Sequence, residues 1–508
     1  MVILKMNLST STFDYNSNEP IHKIDRWIFR LLLLFIATMP LIIFGRFEYV
    51  VSPTISDLSL LGSGYKIEFF SHYKFFWTLL ITAIVLMLFI YKLFFKQATI
   101  SKTYLNIFLL LFIIAIIVST VFSNSVHIAL YGLYNRSDGA IAWICYIVLF
   151  FIALQIRLPK HFLHAIMYAF IPFTLINFFI MTMNFYDHDL FQNHAVYNFL
   201  VYSLPTAFLP NSNSQLLGTL DQWNYLSGMF AMVMVMYFVW AITAKGKVHV
   251  IIGSIIASLA MLIVFLSTST SGFLTIVVCT PFILWILFKQ KNKGNTVLVL
   301  SIFFIICTPV YFLWNSQEPK IYQESFGLVG SLLASKEKQA SSNDSPIPSN
   351  DYLPVLPDSS ISGGSGRVYI WEKTIDLIKE RPLTGYGMDT IMYYFPHYNI
   401  DAREGLRSEH TIVDKPHNAY LATFYGFGVI GFICFSFLGL FTVFTLIRSI
   451  YYQNWVTTTL TIFTFAYFIQ AIFNDSLVAM TALAFLFIGI SASQFLRKDQ
   501  KSFIEATG

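Results

Sequence analysis

Long apolar segments recur along this chain and are separated by short polar connections. Runs of about 17–25 apolar residues are typical of membrane-spanning helices. The segment 194–209 is shorter and contains Pro205, so it predicts an interfacial or re-entrant element. We predict an all-α polytopic membrane protein with about 12 transmembrane helices. Their expected ranges are 27–45, 75–91, 104–122, 140–156, 162–183, 223–244, 248–267, 272–288, 296–314, 419–447, 456–473 and 477–496.

The composition supports this class. Hydrophobic residues make up 56% of the 508 positions and charged residues only 12%, whereas about 25% is usual in soluble domains. The mean hydropathy is +0.65. The net charge of +5 therefore indicates membrane topology and not nucleic-acid binding. The four cysteines all lie in apolar segments, so no disulfide framework or thiolate metal site is predicted.

The basic residues indicate the orientation. Seventeen Lys and Arg residues flank one set of connections, and four lie in the short connections of the other set. By the positive-inside rule, both termini are expected in the cytoplasm. The predicted order is a tail at 1–26, helices 1–9 within 27–314, a large extracytoplasmic loop at 315–418, helices 10–12 within 419–496, and a tail at 497–508.

The large loop has two parts. Residues 334–364 are rich in Ser, Pro and Asn, a composition that predicts a disordered linker. Residues 366–380 follow, with Ile370, Trp371, Ile375 and Ile378 at helical spacing. We predict a short amphipathic helix on the outer membrane surface, with its tryptophan at headgroup depth.

The predicted spans contain almost no ionisable groups, which disfavours an ion-coupled transporter and directs attention to the outer face. Each unusual residue there has an ordinary structural alternative: lipid contact for an arginine, helix capping for an aspartate or histidine, or a solvated surface charge. The functional alternatives are anion binding by arginine and proton transfer by histidine. The candidates are Arg136 in YGLYNRSDGA, Asp221 in GTLDQWNYLSG, Arg367, and His417 with Asn418 in DKPHNAYL. No metal cluster or phosphate loop is visible.

These motifs resemble the bacterial O-antigen ligase and polysaccharide polymerase family. The resemblance runs from about residue 100 to the end and includes STSTSGF, GRVYIWEKTIDLIKERPLTGYG and PHNAYLATFYGFGVIG. It implies an integral membrane glycosyltransferase that needs no metal, cofactor or nucleotide sugar. Such an enzyme moves a glycan from an undecaprenyl diphosphate carrier onto an acceptor hydroxyl.

The resemblance also implies site residues. Arg367 and His417 match the functional arginine and histidine of the family, and Arg136 looks like a second diphosphate or glycan contact. Family members often carry an arginine where this chain has Ser271, so its role is expected to pass to Arg136, Arg403 or Arg407, or to be absent. Trp371, Asn418 and Asp221 complete the expected binding set.

Three functions remain open from the sequence. The leading one is a polymerase of lipid-linked repeat units for capsule, exopolysaccharide or cell-wall polysaccharide, since richness in Lys, Asn, Ile and Phe suggests an AT-rich, Gram-positive genome without lipid A. A ligase onto lipid A or protein is the same-class alternative, and a lipid-linked oligosaccharide flippase is the different-class one. The expected partners are the glycan donor and acceptor, membrane lipid, a chain-length regulator and a flippase, with no nucleic acid. The expected location is the bacterial cytoplasmic membrane.

Overall fold

A computed structural model describes residues 22–51, 62–190, 193–202, 218–220, 222–327, 367–397 and 412–507, with side chains to 497. The predicted linker at 334–364 lies outside these residues. The described helices are α1 (Lys23–Thr38), α2 (His72–Phe95), α3 (Tyr104–Val121), α4 (Val126–Tyr131), α5 (Ala140–Gln155), α6 (Phe162–Phe185), α7 (His194–Leu200), α8 (Trp223–Thr243), α9 (Lys247–Leu266), α10 (Thr270–Lys289), α11 (Lys293–Gln317), α12 (Lys320–Tyr322), α13 (Arg367–Glu380), α14 (Ile391–Tyr394), α15 (Ala419–Tyr451), α16 (Trp455–Phe473) and α17 (Val478–Thr507). One antiparallel hairpin, β1 (Arg46–Val50) with β2 (Gly64–Glu68), follows α1.

The all-α membrane fold is confirmed. Each of the twelve predicted segments contains a helix. Within the described part of the chain, ten helices are long and apolar enough to cross a membrane, and the remaining two, α1 and α5, have 16 residues each. The short helix α7 covers only seven residues of the segment predicted to be interfacial.

The centre of the bundle is formed by α8, α16 and α17. The buried share of the best membrane-spanning stretch reaches 94% in α8 and α17, 78% in α16, and falls to 11% in α11. Four threonine hydroxyls of α16 donate to carbonyls three or four residues earlier, as Thr461 does to Thr457 at 2.7 Å. Such bonds let polar side chains lie in a dry interior without unpaired donors.

Helix α15 is broken at Gly428, whose φ of 68° and ψ of −172° are not helical. The backbone N–H of Tyr386 donates to Tyr425 O at 2.9 Å, and that of Val429 donates to Pro382 O at 2.9 Å. The PLTGYG segment thus pairs with backbone groups that the break exposes. Irregular backbone in a membrane protein is stable only where other protein groups satisfy it.

Because successive membrane helices run in opposite directions, every second connection lies at the same end of the bundle, which we call the loop end. It holds the hairpin, α4, α7, α13 and α14, the start of α15, and the connection between α16 and α17. Helix α13 packs a face with Tyr369, Ile370 and Ile378 into a cluster with Tyr425 of α15. Ile375 of the predicted apolar face remains 41% exposed. Part of the face expected to contact lipid therefore contacts protein.

Candidate active site

His417 lies at the loop end, directly before the first turn of α15. Its backbone is left-handed, with a φ of 53°. The imidazole Nδ1 lies 3.2 Å from Oδ2 of Asp475, and the two side chains are 31% and 0% exposed. A buried carboxylate therefore faces one ring nitrogen of a histidine that remains open to the surface.

Asp475 belongs to the short connection between α16 and α17. Its neighbour Asn474 holds this connection against α15, because Asn474 O accepts from the N–H of Ala419 at 3.1 Å. Burial raises the pKa of Asp475, but the hydrogen bond and charge of His417, with the charges of Arg136 and Lys415, lower it to about 2. Asp475 is thus ionised at neutral pH.

Arg136 cross-links the loop end from within. It is buried, with Nε 3.3 Å from Oδ1 of Asp389 and Nη2 donating to Ser476 O at 3.4 Å. Oδ2 of Asp389 accepts from the N–H of Leu133 at 3.2 Å. Burial lowers the pKa of Arg136, yet the surrounding carboxylates, Asp389 first, raise it above its ordinary value. The guanidinium stays charged and joins three separate connections.

Asp138 is the second buried carboxyl beside this arginine. It accepts from the hydroxyl of Tyr146 at 2.9 Å and from the hydroxyl of Ser476. Burial, followed by the charge of Asp389, raises the pKa of Asp138 to about 7 despite the arginine. Two carboxyls of the same connection network, Asp138 and Asp475, thus have pKa values far apart.

Lys415 adds a cation two residues before His417. It is 6% exposed, and its Nζ lies 3.6 Å from Oδ2 of Asp414 and 5.4 Å from the ring centroid of Tyr225. Burial lowers the pKa of Lys415, but Tyr225, Asp414 and Asp475 raise it overall. A permanent positive charge therefore lies near the histidine.

Arg367 begins α13 and is partly buried. Burial lowers the pKa of its guanidinium, and Asp475 and Tyr225 are close enough to oppose that shift. Asp475 thus interacts electrostatically with Arg367 and Lys415 and contacts His417. Of the residues predicted from sequence, His417 contacts this carboxylate, whereas Arg136 and Arg367 interact with it electrostatically.

Trp371 and Asn418 shape the chain around the histidine. The indole N–H of Trp371 donates to Pro416 O at 2.8 Å. Oδ1 of Asn418 accepts from the N–H groups of Tyr420 and Leu421 at 3.0 and 3.1 Å, so Asn418 caps α15. Capping is therefore done by Asn418, which leaves the neighbouring imidazole available.

The other predicted residues are not in this cluster as described. Asp221, Arg403 and Arg407 lie outside the described residues. Ser271 stands where family members often carry an arginine. Its carbonyl accepts from Nε2 of Gln470 on α16 at 2.7 Å, and its hydroxyl lies 3.2 Å from that of Ser269, the N-cap of its own helix. Lys415 is a cation that the sequence analysis did not identify.

Asp475 and Asp389 were also missed. A signal existed for Asp475, which is the charged residue of the short Asn-Asp-Ser connection between two apolar helices. No local pattern marks Asp389, because its partner Arg136 is remote in the chain. Among the described residues, no group of three or more His, Cys, Asp or Glu side chains could hold a metal ion.

The arrangement combines two chemical capabilities. A histidine oriented by a buried carboxylate can accept a proton at its other ring nitrogen. Cationic side chains in a partly dry site can stabilise negative charge that develops on a leaving group. The two capabilities lie side by side at the loop end.

Comparison with known families matches part of the chain. The family model described as O-antigen ligase matches residues 254–436, from within α9 to within α15. This range contains Arg367, Lys415 and His417, whereas Arg136 and Asp475 lie outside it. A search of curated proteins found no match.

Proposed function

We propose that this membrane protein, whose residues 254–436 match the O-antigen ligase family model, transfers glycan from a lipid diphosphate carrier onto an acceptor hydroxyl. The observation that carries the proposal is the pair of His417 and Asp475 with Arg367 and Lys415 beside it. The match to this family model supports a glycan ligase or polymerase type of activity and a lipid-linked glycan substrate.

In the proposed reaction His417 is the general base. The ionised carboxylate of Asp475 favours the tautomer with the proton on Nδ1, which leaves the Nε2 lone pair for the acceptor hydroxyl. The hydroxyl oxygen forms a bond to the anomeric carbon and gives its proton to Nε2. The bond from that carbon to the phosphate oxygen breaks, and the lipid diphosphate leaves with the electron pair.

Arg367 and Lys415 are the proposed contacts of the diphosphate. A guanidinium can bind two phosphate oxygens at once, and a lysine supplies a compact charge. Arg136 already contacts Asp389 and Ser476 O, so we assign it mainly to holding the site together and to long-range electrostatic support. The chemistry proposed here needs neither a metal nor a nucleotide sugar.

We further propose a polymerase of undecaprenyl-diphosphate-linked repeat units in the bacterial cytoplasmic membrane, with the loop end outside and both termini in the cytoplasm. The excess of basic residues at the other end of the bundle supports this orientation. Membrane lipid, a flippase and a chain-length regulator are the expected partners. Transfer of glycan to lipid A or protein is the alternative outcome of the test below.

The test uses purified protein in liposomes with lipid-linked repeat units from cells that lack this chain. We expect oligomers of increasing length on the carrier lipid. Growth only after addition of lipid A or a protein acceptor would indicate a ligase. Movement of the lipid-linked units between leaflets without any growth would contradict glycosyl transfer and indicate a flippase.

A further inference from the structure

A cavity opens at the loop end, outside the cluster around His417. It has a volume of about 590 Å³ and lies between the final turns of α6, α9 and α11 and the first turn of α8. This volume falls within the range of about 300–1,000 Å³ typical of ligand sites. Its lining combines aromatic rings with amides and carboxyls: Tyr186, Trp223, Asn184, Gln317, Asp187 and Glu318.

We propose that this cavity binds sugar residues of the glycan acceptor, an inference that rests on the proposed function. Tyr186 and Trp223 are 45% and 39% exposed, and both line the cavity. The apolar face of a pyranose ring packs on such rings, and its hydroxyls bind amide and carboxylate groups. The lining supplies both kinds of contact.

The charges of the two sites separate the two substrates. The cavity lining contains two acidic residues, Asp187 and Glu318, and one basic residue, Lys320, so its net charge is negative. A diphosphate is repelled there and attracted to Arg367 and Lys415. Uncharged sugar hydroxyls bear no such penalty, so the cavity suits the acceptor saccharide and the cationic cluster suits the carrier.

One helical turn connects the cavity with the proposed base. Trp223 lines the cavity, and the next residue, Asn224, accepts from the hydroxyl of Ser269 at 2.8 Å. The carbonyl of Asn224 accepts from Nδ2 of Asn474 at 3.4 Å, directly beside Asp475 in the chain. The first turn of α8 therefore lies between the two sites, and a bound acceptor chain can extend past it toward His417.

The test uses two cavity variants, Trp223→Leu and Gln317→Ala, with Phe312→Leu as the control. Phe312 is an aromatic residue of α11 that is 66% exposed and does not line the cavity. The probe is the oligosaccharide released from the lipid-linked units that accumulate in cells lacking this chain. Saturation-transfer NMR with the detergent-solubilised protein measures its binding without any turnover.

We expect both cavity variants to bind the oligosaccharide about fivefold more weakly or worse, and the control to match the wild type. In transfer assays, the KM for the lipid-free acceptor rises while the KM for the lipid-linked donor is unchanged. Unchanged oligosaccharide binding in both variants, or a rise confined to the donor KM, overturns the inference.

The outcomes separate the two proposals. If the wild type transfers glycan and both cavity variants behave like it, the cavity is not the acceptor site, but the proposal of glycosyl transfer stands. If the wild type binds the oligosaccharide through Trp223 but transfers no glycan, the proposal of glycosyl transfer is wrong, but saccharide binding by the cavity stands.

Discussion

At the scale of single residues, the site depends on a histidine in an uncommon backbone conformation. His417 has a φ of 53°, which among residues other than glycine is tolerated best by Asn, Asp and His. The neighbouring Asn418 ends the irregular segment by capping α15. The imidazole is thus held between Asp475 and the surface by backbone geometry as well as by its contact with Asp475.

Replacing His417 tests the proposed base. We expect His417→Asn and His417→Ala to reduce glycan transfer by about 10²–10⁴-fold, because the acceptor hydroxyl loses its proton acceptor. His417→Asn keeps a residue that suits the left-handed backbone, so the amount of protein in the membrane is expected to stay normal. Gel analysis of polymer length and immunoblotting of membranes measure the two quantities.

His127→Asn is the matched control, because His127 is an exposed histidine of α4 at the same end of the bundle.

Arg367→Ala is expected to lose polymer in the same way, and Lys379→Ala, which changes an exposed cation of the same helix α13, is expected to retain it. Normal chain length in both His417 variants and in Arg367→Ala would contradict the assigned roles.

The contributions of the two buried carboxyls, Asp138 and Asp475, to folding stability are expected to change with pH in opposite directions. The pKa of Asp138 is raised in the folded state from its ordinary value near 3.8 to about 7. The contribution of Asp138 to the free energy of unfolding is therefore fully favourable below pH 3.8 and is lost as the pH rises through 7. Asp138→Asn is therefore expected to raise Tm relative to the wild type by about 2–4 °C at pH 8, and by less at pH 5. Thermal unfolding in detergent at both pH values measures the difference.

Asp475→Asn serves as the comparison for that experiment. The pKa of Asp475 is lowered to about 2, so its contribution is present above its ordinary value near 3.8 and is lost only as pH falls toward 2. Its replacement is expected to lower Tm at both pH 5 and pH 8. A Tm difference for Asp138→Asn that does not change with pH would show that Asp138 does not titrate in this range.

At the scale of elements, α13 and the segment after it connect the loop end to a break in α15. Gly385 and Gly387 have φ values of 68° and 94°, and the N–H of Gly387 donates to Gly426 O at 3.1 Å. The glycines of the PLTGYG motif are thus explained by backbone contact with α15. Trp371 fastens the other end of this element to the carbonyl of Pro416, next to the histidine.

Gly428→Ala tests the break in α15. A Cβ at this position would overlap Leu383 O and would require a left-handed backbone. We expect a loss of about 2 kcal/mol or more in the free energy of unfolding and less protein in the membrane. Gly294→Ala in α11 is the control, since its Cβ would meet only Asn292 Oδ1 at 3.4 Å. Equal membrane levels for the two variants would contradict this account.

At the scale of the whole molecule, the two ends of the bundle differ in charge. The loop end holds the candidate site, whereas the other end carries the excess of Lys and Arg and includes the pair of Lys92 with Asp25 at 2.8 Å. The exposed apolar side chains of peripheral helices, among them Phe288 at 82%, fit a lipid environment. The proposed orientation follows from the basic residues at the end opposite the site.

Cysteine labelling checks that orientation. With the four native cysteines replaced, Asn124→Cys at the loop end is expected to react with a membrane-impermeant thiol reagent in intact cells. Lys291→Cys, an exposed position at the other end, is expected to react only after lysis. Both measurements read the alkylated fraction by gel shift. Labelling of Lys291→Cys in intact cells would reverse the assignment of the two ends.

The sequence by itself determined where the membrane helices lie, because the free energy of crossing a bilayer depends on local runs of apolar residues. It also marked Arg136, Arg367 and His417 through family resemblance. Only the tertiary structure placed Asp475 against His417 and Asp389 against Arg136, since these pairs join segments far apart in the chain. It likewise showed that α13 packs on α15, because an amphipathic pattern is the same whether lipid or protein covers it.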